Sequence, residues 1–225
     1  MPEFICDSRA GRIHAENQDC VIARPPSSDG GIFLIGVADG ISSCPFGRSV
    51  ARWLIEQHLG KDAFGWEPGV SPQEIVRRYL ARLNACFRAE FADLPEMLES
   101  GACLSLAVHL AGETHGFWVG DSPIYETSIQ GDRISTRLVS RSDSRSRTSI
   151  TDWFGGTSRF DLKHVALPIE TAIVTITSDG AVHDAKMLNA AYLRYGFADA
   201  VAEEVCTEAL LNEHADDVSI VAMRL

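Results

Sequence analysis

Two stretches, IFLIGVA at 32–38 and TAIVTIT at 171–177, are apolar at nearly every position, with threonine as the main exception. A strand with one face in water alternates polar and apolar residues, so a run without alternation needs cover on both faces. Each stretch therefore reads as a central strand, and the remaining chain must supply a layer on either side. Further runs rich in Val, Ile and Thr lie at about 20–24, 103–110, 115–119, 123–129, 133–139 and 217–224. Such residues favour a pleated, half-buried surface. Gln130-Gly131-Asp132 sits between two of these runs and reads as a hairpin turn.

Helical signals come in groups of their own. A first helix at about 47–59 places Val50, Trp53, Leu54 and Leu59 on one side. A second opens with Ser71-Pro72-Gln73-Glu74, where Ser71 caps, Pro72 suits the first turn and Glu74 completes a capping box. From there Ile75, Tyr79, Leu83, Phe87 and Phe91 recur at intervals that keep them on one buried face. Another helix is expected at about 197–212, burying Phe197, Val201 and Val205. Strands follow strands and helices follow helices, without strict alternation. That order favours an α+β layered fold with mainly antiparallel sheets over a doubly wound one.

Length and composition narrow the function. The 225 residues suit one domain, and the 45% hydrophobic and 23% charged residues are ordinary for a globular protein. No run approaches the roughly 20 apolar residues of a membrane span. The opening MPEFICDSRAGR lacks the basic and apolar regions of a secretory leader, so a cytoplasmic location is expected. A formal charge of −11 argues against nucleic acid or an anionic membrane surface as the partner, since both would repel it. The six cysteines form no CxxC pair and no zinc-ligand spacing. They are expected as buried or partly buried thiols in a reducing compartment.

The chemistry is concentrated at strand ends. Three apolar runs finish alike, in Val37-Ala38-Asp39-Gly40, Val119-Gly120-Asp121-Ser122 and Thr177-Ser178-Asp179-Gly180. A fourth strand begins Asp216-Asp217-Val218-Ser219. A carboxylate at the end of a buried strand is held rigidly with its oxygens free, and several converging would make an all-oxygen site suited to Mg²⁺ or Mn²⁺. Glycine after the aspartate lets the main chain approach an ion. One Asp-Gly alone is an ordinary turn signal. Several in one small domain, after central strands with no hairpin to make, point to a common site.

In order along the chain, GRIHAENQD, GVADGIS, SGACLSLAV, FWVGDSPIY, SITDWFGG, TITSDGAVHD and ADDVSIVAM resemble the signature blocks of the type-2C metal-dependent protein phosphatases, the PPM family. The resemblance runs from about residue 10 onward, as one catalytic domain. It implies an αββα sandwich, two central antiparallel sheets flanked by helices, with two Mn²⁺ or Mg²⁺ ions at one end. It implies that Asp39 bridges both ions, that Gly40 offers its carbonyl, and that Asp179 and Asp216 are the ligands of the other metal. Asp19 resembles the residue that holds metal-bound water. Asp121, with Asp179, resembles the support of a third ion.

The implied activity is hydrolysis of phosphoserine and phosphothreonine in proteins by metal-activated water, opposing a Ser/Thr kinase. Two ions about 3.5–4 Å apart can activate water and neutralise the phosphoryl oxygens. No cysteine nucleophile is needed for this chemistry. Two other readings compete: a pseudophosphatase that binds a phosphorylated partner, and a two-metal phosphatase of a small metabolite.

Several positions depart from the family pattern. His14 stands where many members carry a phosphate-gripping arginine, so Arg12, two residues earlier on an extended strand, is expected to fill the clamp with His14. Ile41-Ser42-Ser43-Cys44-Pro45 replaces the usual glycine-rich block. Asp217 replaces a common asparagine, and its added charge is expected to tighten metal binding. The flap region, about 140–165, is reduced, which is expected to leave the site open and substrate choice loose. Within it SRSDSRSRTS, 140–149, reads as a surface loop or as a basic lip for phosphorylated substrates.

Overall fold

The computed structural model describes residues 3–25, 32–60, 69–140, 144–146, 149–155, 160–181, 184–211 and 215–225. Its first strands are β1 (Glu3–Arg9), β2 (Asp19–Arg24) and β3 (Phe33–Gly40). Helices α1 (Gly47–Arg52), α2 (Pro72–Glu90) and α3 (Pro95–Leu98) follow. Next come β4 (Ala102–Leu110), β5 (Glu113–Val119), β6 (Ile124–Gln130) and β7 (Arg133–Leu138). The short strands β8 (Ser144–Ser146) and β9 (Ser149–Ile150) pair with each other. The chain then forms β10 (Lys163–Ala166), β11 (Thr171–Thr177), α4 (Ala185–Tyr195), α5 (Asp199–Ala209) and β12 (Val218–Arg224).

Two five-stranded antiparallel sheets form the centre, in the orders β1-β12-β11-β6-β7 and β10-β5-β4-β3-β2. The absence of alternation in β3 and β11 has the expected cause. Ile35 and Val37 of β3 face Val174 and Ile176 of β11 in the seam between the sheets. Leu34 points the other way, into a core with Leu54, Leu80 and Phe87 of the helical layer. On the outer side of the other sheet, Leu188, Tyr192, Val201 and Val205 of α4 and α5 cover Ile5 and Ile220. The fold is an α+β sandwich of four layers. Each fully buried Leu or Phe contributes about 1.5–3 kcal/mol, so the seam and both helical layers stabilise it.

Helix α2 begins as its sequence suggests. Ser71 Oγ accepts from the Glu74 N–H at 3.2 Å, and Ile75, Tyr79, Leu83 and Phe87 are buried. The Glu74 carboxylate takes the Arg78 Nε at 2.7 Å, so it serves the next turn of the helix. Ser71→Ala should cost about 1 kcal/mol. The loss would appear as a lower urea midpoint at unchanged slope; an unmoved midpoint would deny the cap any stabilising role.

The expected helix over 47–59 is present but changes type. After α1 the chain continues as a π-helix, Trp53–Leu59, ended by the Gly60 N–H bonding the Ile55 carbonyl five residues back at 2.7 Å. Trp53 Nε1 donates to Glu90 at 3.0 Å, and its ring packs on Phe87 and Phe154. π-helical turns are rare and often serve a local need; here the wider turn accompanies the indole that secures Phe154.

Other differences are informative. Strands β1 and β10 and helix α4 were not foreseen, although Asp184 caps α4 through the Lys186 N–H at 3.0 Å. Cys6 and Cys86 are exposed, contrary to the expectation that the thiols are buried or partly so. All six cysteines are free. Much of the 140–149 segment lies outside the described residues, and with it the basic-lip reading. No described helix is long and apolar enough to cross a membrane.

Candidate metal centre

The two sheets deliver their acidic strand ends to the same place. In one sheet Asp19 and Asp39 are cross-strand partners on β2 and β3, and Asp121 follows β5. In the other, Asp179 follows β11 and Asp216 precedes its neighbour β12. Close packing there depends on glycine. A Cβ on Gly180 would lie 2.3 Å from the Asp217 carbonyl, and one on Gly40 would lie 2.5 Å from the Gly47 main chain. A cleft of about 430 Å³ opens at this end, lined on its acidic side by Asp39, Gly40, Asp121, Asp179 and Asp216.

The electrostatics are those of a crowded acidic site. Asp39 is held well above the ordinary carboxylate range by burial first, then by Asp19, Asp179, Asp121 and Asp216. Asp19, only 6% exposed, is pushed up to about 7 by burial above all. Asp217 adds to that rise, while the hydroxyls of Ser219 and Ser178 oppose it. Neither Asp19 oxygen has a hydrogen-bond partner in good geometry. A buried acceptor without a partner is costly and calls for an explanation. The donors are all oxygen, and the orphaned Asp19 carboxylate lies beside them. The set fits a hard divalent cation such as Mg²⁺ or Mn²⁺.

Cys103 adds a contact that the sequence did not disclose. It is the cross-strand partner of Asp39 and fully buried, and its Sγ donates to Asp121 Oδ1 at 3.1 Å. Burial and the adjacent Asp121 and Asp39 push the thiol up, which keeps it protonated as a donor.

No protein-family model and no curated protein matches the sequence. Solved structures do. The serine/threonine phosphatase Stp1 from Staphylococcus aureus superposes with a TM-score of 0.83 at 17% identity, over 100% of this chain and 95% of that one. The Mycobacterium tuberculosis serine/threonine phosphatase PstP/Ppp gives 0.77 at 19%, over 100% and 98%. PppA, a regulatory component of T6SS in Pseudomonas aeruginosa, gives 0.78 at 21%, over 99% and 97%. The fold is that of the bacterial PPM-type serine/threonine phosphatases.

Within this PPM fold the two expected phosphate ligands, Arg12 and His14, lie in the loop between β1 and β2. Residues 10–18 form no strand, so the argument that Arg12 and His14 share a face of one does not apply. Neither lines the cleft. Arg12 is exposed, and its main-chain N–H bonds the Ala215 carbonyl at 2.8 Å. His14 Nδ1 lies 3.1 Å from Asp217 Oδ2 and 3.3 Å from Asp216 Oδ1.

Asp217, expected to tighten metal binding through its added charge, has partners of its own. It is buried and committed to the loop between β1 and β2: Gly11 N–H donates to Oδ1 at 2.7 Å and Gln18 N–H to Oδ2 at 2.8 Å. Its charge meets these donors and His14, and it also pushes Asp19 up. Among the described residues, His14, Asp216 and Asp217 form a group whose ligand atoms lie within 4.8 Å of one another. Asp217 is taken up by Gly11, Gln18 and His14, which makes the His14–Asp217 pair structural, whereas Asp216 also lines the cleft with Asp39, Asp121 and Asp179, the better cation site.

With His14 engaged and Arg12 outside the lining, Arg12→Ala should change the phosphopeptide KM by less than about twofold, whereas removing a true bidentate clamp costs about tenfold or more. Steady-state kinetics decide it, and a tenfold rise would return the guanidinium to the phosphate.

The other side of the cleft was not foreseen. Ile41, Ser42, Ser43 and Cys44 line it together with Ile150 and Trp153. Two glycines flanking this region were the available signal. Gly101 has no room for a Cβ beneath Trp153, and Gly155 adopts φ +101°.

Proposed function

We propose that this chain is a metal-dependent phosphoprotein phosphatase that removes phosphate from serine and threonine, in one catalytic domain. The observation that carries the reading is the convergence of Asp39, Asp121, Asp179 and Asp216 from two sheets at one cleft, with the buried Asp19 beside Asp39. So much negative charge is costly unless a cation compensates it. Asp39, Asp179 and Asp216, with the Gly40 carbonyl, would hold two Mn²⁺ or Mg²⁺ ions, and Asp121 a third.

When bound, such ions would supply charge neutralisation at the phosphoryl group and acidify water. Asp19, the cross-strand partner of Asp39, would accept a hydrogen bond from water and hold it toward the substrate. Cys103 would keep Asp121 in place through its Sγ–Oδ1 contact. The partner is a phosphorylated protein, and the reaction opposes a Ser/Thr kinase.

The test is hydrolysis of a phosphothreonine peptide with Mn²⁺ and with EDTA. Mn²⁺-dependent turnover that falls by about 10³-fold or more in EDTA is expected. A folded protein that binds Mn²⁺ by calorimetry without turnover would overturn it. One observation favours a second reading, a phospho-binding pseudoenzyme: among the described residues, no cation lines the cleft. Tight phosphopeptide binding without hydrolysis would select that reading.

A further inference from the structure

The cleft has two unlike walls. One is the carboxylate wall; the other presents Ile41, Ile150 and Trp153 together with Ser42, Ser43 and Cys44. We propose that the apolar side chains of this second wall select phosphopeptides carrying a large apolar side chain next to the phosphorylated residue, with Trp153 as the specificity-determining residue. The inference rests on the phosphatase reading for its substrate and replaces the loose choice that a short flap suggests.

Trp153 is seated in advance. The next residue, Phe154, exchanges both main-chain hydrogen bonds with Ala102, each at 3.0 Å. The Phe154 ring is fully buried against Trp53 and Phe87. On the other side a Cβ at Gly101 would stand 1.9 Å from the indole Cδ1 and 2.6 Å from Nε1. The ring thus lies in a slot that only glycine leaves open. Ile41 is tied to the same glycine, its N–H bonding the Gly101 carbonyl at 3.0 Å. Two residues of the wall therefore share one fixed point.

The indole Nε1 is buried with no hydrogen-bond partner. A phenylalanine would pack here without that orphaned donor. What tryptophan adds is ring area, and part of it faces the cleft. Pre-positioned aromatic area loses little entropy when a ligand covers it. Charge supplies the second argument. A phosphopeptide approaching this cleft meets carboxylates and, among the described residues, no lining cation. Affinity beyond that given by bound ions must come from contacts away from the phosphate. Covering one Leu-sized side chain changes affinity by about 10- to 100-fold.

The experiment uses two phosphothreonine peptides of equal length and charge, one with leucine beside the phosphothreonine and one with serine. In Mn²⁺, the wild type should favour the leucine peptide by about tenfold, through KM. Trp153→Ala should bring the ratio close to one, and Trp153→Phe should keep most of it. Ile150→Ser, which leaves the Phe154 anchor intact, should also lower the ratio and serves if Trp153→Ala fails to fold. Equal KM values in the wild type, or an unchanged ratio in the variants, would overturn the proposal.

Calorimetric titration of both peptides separates the two readings. Preferential binding of the leucine peptide without turnover upholds the wall and defeats the phosphatase. Turnover without preference does the reverse, and neither binding nor turnover defeats both.

Discussion

Asp39→Asn should abolish Mn²⁺-dependent hydrolysis, by about 10³-fold or more, while making the metal-free protein more stable. The two effects share one cause. Asp39 is half-buried beside four other carboxylates, an arrangement that favours cations and penalises the protein without them. The sign follows from proton binding. The folded states of Asp39 and Asp19 hold protons more tightly than the unfolded chain, so stability is greatest at low pH and falls as these groups ionise.

For Asp19 that window runs from its ordinary 3.8 to about 7. Metal-free wild type should therefore lose stability as pH rises across it, and Asp39→Asn should lose less. Excess Mn²⁺ should raise the wild-type Tm, by linkage, and leave the variant unmoved. Thermal melts at pH 5 and 8, with Mn²⁺ and with EDTA, check all of this. A variant that retained metal-dependent turnover, or that melted earlier than wild type in EDTA at pH 8, would sink the account.

The second large effect belongs to Asp217. Its carboxylate accepts from the Gly11 and Gln18 N–H groups and stands 3.1 Å from His14 Nδ1. Asp217→Ala orphans these donors and releases residues 10–18 from β12. A loss of about 3 kcal/mol is expected, which for a chain of this size lowers Tm by roughly 6–12 °C. Asp217→Asn keeps one acceptor and should fall about midway. Differential scanning calorimetry decides it, and an unchanged Tm in the alanine variant would show that the loop is held by other means.

These two positions mark what the sequence could and could not disclose. The aspartates of the candidate metal site were legible because each adjoins a strand that hydrophobicity alone reveals. Asp217 looked like one more such carboxylate; its partners Gly11 and Gln18 are about 200 residues away, and no local pattern announces them. β1 was missed because EFICDSR mixes apolar and charged residues, as an edge strand with partly exposed faces does. Strand β10 is four residues long. Helix α4 did carry the signal, with Asp184 as cap and Leu188, Ala191 and Tyr192 on one buried side; its alanines made the stripe faint. Trp153 stands within one of the sequence motifs, but only the slot over Gly101, which its ring fills, shows why it lines the cleft.

The sheet order sets a timetable for synthesis. Among the described strands β12 comes last, yet it lies between β1, the first of them, and β11. β1 therefore leaves the ribosome about 200 residues before its partner, a wait of roughly 10–40 s at ordinary translation rates of 5–20 residues per second. The sheet of β2 to β5 and β10 can close meanwhile, bringing Asp19, Asp39 and Asp121 together. Asp216 arrives with β12, so the acidic cluster is completed only by the final strand. A nascent chain halted before that strand would expose the open edges of β1 and β11 and would lack part of its candidate metal site.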